Sequence, residues 1–189
     1  ISEQDVDDAA AGIKELAPIM QPTSGQSLFD IFKSTLSGQV TASRNHVIVG
    51  KERHDTGRPN DWGYPIRGIS KGGWLYIKNY ETARWPAGNP ETGYLNCDGG
   101  PIKSNILNMR RKGENETYWN MNFGKRPTEE LYDLRADPDC VNNLATTPTY
   151  ENKKKTLSTQ MISELKQQGD PRMTGNGNLF DDYPYSDSK

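Results

Sequence analysis

Apolar residues at Val6, Ala10, Ile13, Ala17 and Met20 recur at helical spacing and predict an amphipathic helix over residues 2–20. Ser2, with Asp5 three residues on, makes a weakened capping box, and Pro22 and Gly25 end the segment. Leu28, Ile31 and Phe32 share one side of a second, shorter helix predicted over 27–36, with Gly38 as its stop. The period then shortens. His46-Val47-Ile48-Val49-Gly50 is a β-branched run, and two strand-like runs, 67–71 and 74–80, flank Gly72-Gly73, which is a hairpin signal. In the second of these, Trp74, Tyr76, Lys78 and Tyr80 share one face, and Leu75, Ile77 and Asn79 the other. Residues 81–126 show no clear period and carry Gly, Pro and Asn throughout. They predict a long loop that is functional or packed on a partner. A last short strand, 130–134, precedes a turn at Asp137-Pro138.

The clearest helix comes last. Leu157, Met161 and Leu165 are spaced by four, and Tyr150 extends their stripe. Thr147 is placed to cap this helix with Pro148 at its first position, and Gly169 and Pro171 end it. The fold class predicted is α+β: a small antiparallel sheet packed against one long C-terminal helix, with N-terminal helices and long loops. The domain reading is an N-terminal helical connector (1–43), a folded body (44–172) and a C-terminal arm (173–189) rich in Gly, Asn, Asp and Tyr.

Composition changes that picture in one respect. Only 32% of the 189 residues are hydrophobic, with 18 Gly and 12 Pro, below the usual apolar share of a self-contained domain. That suits a piece packed against something else, or a small loop-rich domain. The opening Ile1-Ser2-Glu3 lacks an initiator Met, which adds to the expectation of a longer parent. Net charge is −2 with both signs interspersed, so no clustered basic face suggests nucleic acid. No stretch approaches the roughly 18 apolar residues of a membrane span. Cys97 and Cys140 allow one disulfide or two free thiols, and neither has metal-ligand spacing.

Most site signatures are missing: no Gly-rich phosphate loop and no His-x-x-x-His. With only His46 and His54, a histidine triad or metal cluster has little material. One segment does read as a site. Residues 50–67 bring Lys51, Arg53, His54, Arg58 and Arg67 near Glu52 and Asp55 at the mouth of a strand. Guanidinium groups grip sulfate and carboxylate with two parallel hydrogen bonds, so the cluster suits an anionic sugar. The alternative is a solvated loop with structural ion pairs. Trp62, Trp74, Trp85 and Trp119 offer stacking surfaces for sugars, although Trp74 on a hairpin suits core packing.

The order Arg44-Asn-His-Val-Ile-Val-Gly-Lys-Glu-Arg-His54, then Gly63-Tyr-Pro-Ile-Arg-Gly-Ile69, resembles a stretch of the alkaline-phosphatase-like sulfatases, in particular their heparan N-sulfatase (sulfamidase) branch. Trp74-Leu-Tyr-Ile-Lys-Asn-Tyr80, Arg84-Trp-Pro-Ala-Gly-Asn-Pro-Glu91 and Asp98-Gly-Gly-Pro-Ile-Lys-Ser104 match further family segments in the same order. The most specific are Phe123-Gly-Lys-Arg-Pro-Thr-Glu-Glu-Leu-Tyr-Asp-Leu134, Asp137-Pro-Asp-Cys-Val-Asn-Asn-Leu-Ala145 and Gly169-Asp-Pro-Arg172. Together they span nearly the whole chain.

The resemblance implies the C-terminal subdomain of an enzyme that hydrolyses sulfate esters or sulfamates of sulfated sugars. It implies a formylglycine nucleophile and Ca2+, both in an N-terminal catalytic domain of the same polypeptide. The Cys/Ser-x-Pro-x-Arg motif that yields formylglycine is absent here, and so are the family's calcium-binding acids. No catalytic or metal-binding role is therefore assigned to this chain, and no activity is expected of it alone. The expected contribution is a wall of the substrate cleft and stability for the catalytic domain. Arg53, His54, Arg58, Arg67 and Lys103 are the substrate-binding candidates, with Arg67 also suited to a structural ion pair. The resemblance also implies a periplasmic or extracellular location. A stand-alone carbohydrate-binding module and a purely structural cap are the competing readings.

Overall fold

The Gly72-Gly73 pair sets the architecture, because both residues lie in the left-handed region (φ +57° and +79°) that a two-residue hairpin turn of this hand needs. A Cβ on Gly73 would also meet Arg135 Nε at 2.6 Å. In a computed structural model the described residues are 25–54, 57–89, 91 and 96–184. They fall in two units, Ile1–Val40 and Thr41–Lys189. In the first unit the described part holds one short helix, α1 (Phe29–Phe32), shorter than the expected 27–36. The helix expected over 2–20 lies outside the described residues.

In the second unit four strands form one antiparallel sheet in the order β1-β2-β3-β4: β1 (His46–Lys51), β2 (Ile66–Lys71), β3 (Trp74–Asn79) and β4 (Glu129–Asp133). Register pairs Ile48 with Ile69, Ile69 with Tyr76, and Tyr76 with Leu131. These four residues line one face, since alternate residues of a strand point the same way. Helices α2 (Pro101–Arg111) and α3 (Glu116–Phe123) lie between β3 and β4, and the long α4 (Glu151–Gln167) follows the sheet. A short helix, α5 (Leu179–Asp182), comes last. The α+β expectation holds.

The main core is the stripe of α4 laid on that face. Ile69, Trp74, Tyr76 and Leu131 pack with Ala145, Leu157, Met161 and Leu165. Each large apolar side chain so buried contributes about 1.5–3 kcal/mol. Tyr150 completes the stripe by tilting onto Trp74, ring centroids 5.3 Å apart. Polar contacts then fix the helix across the sheet: Lys71 Nζ donates to Gln160 (2.8 Å), and His46 Nε2 meets Glu164 Oε2 (2.8 Å).

Three expectations are corrected. Residues 81–126 are not one long loop but contain α2 and α3. Their second small core joins Ile106, Trp119 and Phe123 with Trp85. Trp119 lies 5.2 Å from Phe123 and 6.4 Å from Trp85, with the Arg110 guanidinium 3.5 Å over its ring. The polar surface of these helices hides their period, and Ile102, the obvious partner of Ile106, is 78% exposed. Thr147 makes no side-chain cap, because Pro148–Tyr150 first form a 3-10 turn and the α-helix begins at Glu151. The described part of the C-terminal segment, 173–184, is no free arm: Asp181 accepts from Gly63 N and from both terminal nitrogens of Arg84 (2.8–3.0 Å).

Candidate functional site

Strand β1 ends at Lys51 and delivers Glu52, Arg53 and His54 to one end of the sheet. Gly63 passes so close beneath that a Cβ there would sit 2.5 Å from the Glu52 carbonyl oxygen. The segment after β4 and α4 returns to the same end through Asp170 and a 3-10 turn, Pro171–Thr174. The basic residues singled out by the sequence are gathered at this end, with acids interleaved between them.

Arg67 is buried and pairs with Glu52 (2.6 Å) and Asp170 (2.6 Å). Arg172 grips both oxygens of Glu52 at 2.7–2.9 Å. Two cations and two anions therefore neutralise one another inside the fold. Burial alone would raise the Asp170 carboxyl, but the Arg67 hydrogen bond and the Arg172 backbone N–H hold it below the ordinary carboxylate value. Burial would likewise raise the Asp181 carboxyl, but the Arg84 hydrogen bond, the Gly63 N–H and the nearby Arg84 and Arg172 charges together hold it below the ordinary value. Arg58 is 2% exposed and donates to the carbonyls of Trp62, Trp85 and Pro86. Arg58 and Arg67 are thus struts, and the structure does not bring them to the surface as sugar ligands.

Arg53 donates to the carbonyls of Asp61 (3.0 Å) and Tyr183 (2.8 Å). It clamps a turn in which Asn60 and Asp61 both have positive φ (58° and 55°), a conformation that non-glycine residues adopt at some cost. His54 is exposed, and its Nδ1 lies 2.8 Å from Asn96 Oδ1. An amide oxygen only accepts, so Nδ1 is the donor in this contact and Nε2 is the ring nitrogen left facing outward from it. Lys103, near the start of α2, donates to the Cys97 carbonyl (2.9 Å). His54 and Lys103 thus converge on the 96–97 segment, and Arg53 lies beside His54 in sequence.

Sequence reasoning named Lys51 in the cluster but did not select it, and missed Tyr64, Arg126 and Glu130. These four line one cleft of about 190 Å³ on the sheet face away from α4. Lys51 is the last residue of β1 and points to that face because Gly50 points to the other. Burial first, then the nearby Arg58 charge, lower the Lys51 pKa below its ordinary value of 10.5. Burial, aided by Glu130, pushes the Tyr64 hydroxyl up to about 12.

Cys97 and Cys140 are free, which resolves their pairing. Burial, with Asp137 next, raises the Cys140 thiol and so disfavours its reactive thiolate. Among the described residues no group of three or more His, Cys, Asp or Glu is placed to hold a metal ion. Among the same residues no helix is long and apolar enough to cross a membrane.

This is a two-layer α+β unit, a small antiparallel sheet under one long helix, with a charge-paired end and a separate polar cleft. Over 107 residues it is 31% identical to an ulvan-active sulfatase of Formosa agariphila, and over 110 residues 32% identical to a second ulvan-active sulfatase of that organism. The chain is sulfatase-related. These stretches cover 57% and 56% of this chain but only 18% and 17% of the relatives. No family model matches it. A solved structure from Bacteroides thetaiotaomicron VPI-5482, described as a candidate sulfatase, is similar with a TM-score of 0.44 at 17% identity, covering 86% of this chain and 24% of that one.

Proposed function

We propose that this chain is the C-terminal part of a sulfatase that removes sulfate from sulfated sugars, walling the substrate cleft and stabilising a catalytic domain that lies elsewhere in the polypeptide. The observation that supports this reading is the 31–32% identity to two sulfatases, of which the chain spans less than a fifth. In this reading the remainder of the polypeptide supplies formylglycine and calcium. Neither Cys97-Asp-Gly-Gly-Pro nor Cys140-Val-Asn-Asn-Leu fits the formylglycine pattern. A periplasmic or extracellular location belongs to the same proposal. The relatives are named for action on ulvan, whereas the motifs resemble the sulfamidase branch; a sulfated sugar is the substrate class common to both.

Within this reading the sugar-facing groups are His54, through Nε2 as acceptor for a sugar hydroxyl, with Arg53 and Lys103 beside it. A second reading, the structural cap, is favoured by one observation: Arg53, Arg58, Arg67 and Lys103 all donate to internal acceptors.

The experiment is sulfate release from a panel of sulfated sugars by the full-length parent and by its His54→Ala variant. A neutral hydrogen bond is worth about 0.5–1.5 kcal/mol, so KM is expected to rise about 3–10-fold with kcat little changed. An unchanged KM gives the structural cap. A parent that releases sulfate from no sulfated sugar, or an isolated chain that does so unaided, overturns the proposal.

A further inference from the structure

Among the described residues, the cleft on the sheet face away from α4 contains one buried hydroxyl without a hydrogen-bond partner and one half-buried amine without a counter-charge. Tyr64 is 2% exposed, and its buried hydroxyl has no hydrogen-bond partner. Leaving such a group unpaired costs about 1–3 kcal/mol. The Lys51 amine, half-buried, makes no hydrogen bond or ion pair among the described residues. Glu130 lines the same cleft without answering either group. Its Oε1 is taken by Asn79 Nδ2 (2.7 Å) and its Oε2 by the Tyr132 hydroxyl. Arg126 adds a second cation at the rim, holding the Met121 carbonyl with one terminal nitrogen (2.9 Å). Buried Arg58 lies close enough to act electrostatically on both Lys51 and Tyr64. The local balance is therefore positive, with three cations around one carboxylate that is already satisfied.

We propose that this cleft binds a single oxyanion group, a sulfate or a carboxylate, held by Lys51 Nζ, the Tyr64 hydroxyl and Arg126. Size decides between a group and a whole ligand. At about 190 Å³ the cleft is smaller than the roughly 300–1,000 Å³ of sites that enclose drug-sized molecules. One charged substituent fits that space, with the rest of its carrier outside. The oxyanion supplies the acceptor and the counter-charge that Tyr64 and Lys51 lack among the described residues, and a charge-assisted hydrogen bond is about twice as strong as a neutral one. If the carrier is the sulfated sugar proposed above, the cleft is a substrate subsite distinct from the His54 rim. The anion site itself rests on the cleft alone.

The test is calorimetric titration of the full 189-residue chain at fixed ionic strength in chloride, with sodium sulfate, sodium acetate, a sulfated monosaccharide and its unsulfated parent sugar. Wild type is expected to bind sulfate or acetate in the millimolar range. Lys51→Met is expected to weaken binding about 10-fold or more, and Tyr64→Phe about 3–10-fold. Lys51→Arg keeps the charge and should stay within a few-fold of wild type, which separates lost binding from lost folding. Lys155→Ala, on the helix across the sheet, should change nothing. Binding of the sulfated but not the unsulfated sugar assigns the anion to a sugar; binding of inorganic sulfate with exclusion of the sulfated sugar assigns it to a free ion. Absence of binding by both inorganic sulfate and acetate, or wild-type affinity in Lys51→Met, overturns the proposal. Sulfate hydrolysis is not read in this titration, so its failure and the failure of the sulfatase reading are separate results.

Discussion

Arg67 on β2 and Asp170, 103 residues later, form a two-pronged ion pair, with Nε 2.6 Å from Oδ2 and Nη2 3.2 Å from Oδ1. The pair joins the hairpin to the residue that follows α4, and Glu52 and Arg172 extend it on both sides. Both members are largely shielded from water, so the pair acts as a fastener for one end of the domain rather than as a surface decoration.

Removing one partner leaves the other buried and uncompensated. Asp170→Ala is expected to cost roughly 3 kcal/mol, read as a lower urea midpoint with unchanged slope. A loss below about 0.5 kcal/mol would show that Glu52 alone suffices for Arg67.

The same carboxylates set the acid sensitivity. Asp170 and Asp181 have folded pKa values below the ordinary 3.8. A depressed carboxylate contributes stability that is present above its unfolded value and lost as pH falls through the folded one. Stability is therefore expected to be level from neutrality down to about pH 5 and to decline below it. Asp170→Asn should show a shallower acid decline in the same titration.

Lys51 has the opposite sign. Its folded pKa is lowered, so the charged amine costs stability at neutral pH, and that cost is relieved as pH rises through the folded value. Lys51→Met is expected to raise the thermal midpoint at pH 7, and the gain should shrink in alkali.

The core under α4 is tightly filled. Met161 is fully buried between Ile69, Tyr76 and Leu131 on one side and its helix neighbours on the other. Met161→Ala is expected to cost about 2–5 kcal/mol in chemical denaturation, against less than about 0.5 kcal/mol for exposed Lys155→Ala.

Asp181→Ala should act locally. It removes the acceptor of Arg84 and of the Gly63 N–H. Limited proteolysis is expected to cut between 175 and 184 well before the sheet unfolds. Simultaneous loss of the whole domain would show that this segment is part of the cooperative core.

Residue order alone determined the sheet and its cover, because period and turn chemistry are local properties. Gly72-Gly73 announces the hairpin, alternation assigns Trp74 and Tyr76 to one face, and the four-residue spacing of Leu157, Met161 and Leu165 marks the helix that covers it. The motif order likewise made the sulfatase relationship readable before any coordinates. Tertiary structure alone decided what the charged residues do. Arg67 meets Asp170 and Arg84 meets Asp181 across about a hundred residues, and only chain closure brings such partners within hydrogen-bond reach. Arg58 and Arg67, which read as part of an anion grip, became internal struts. Lys51, which has no counter-charge among the described residues, ends β1 on the opposite face of the sheet, because the direction of a strand side chain depends on register. Helices α2 and α3 stayed hidden for a related reason: they are held by Trp119 meeting Trp85, Phe123 and Arg110, and contacts of that kind leave no period in the sequence.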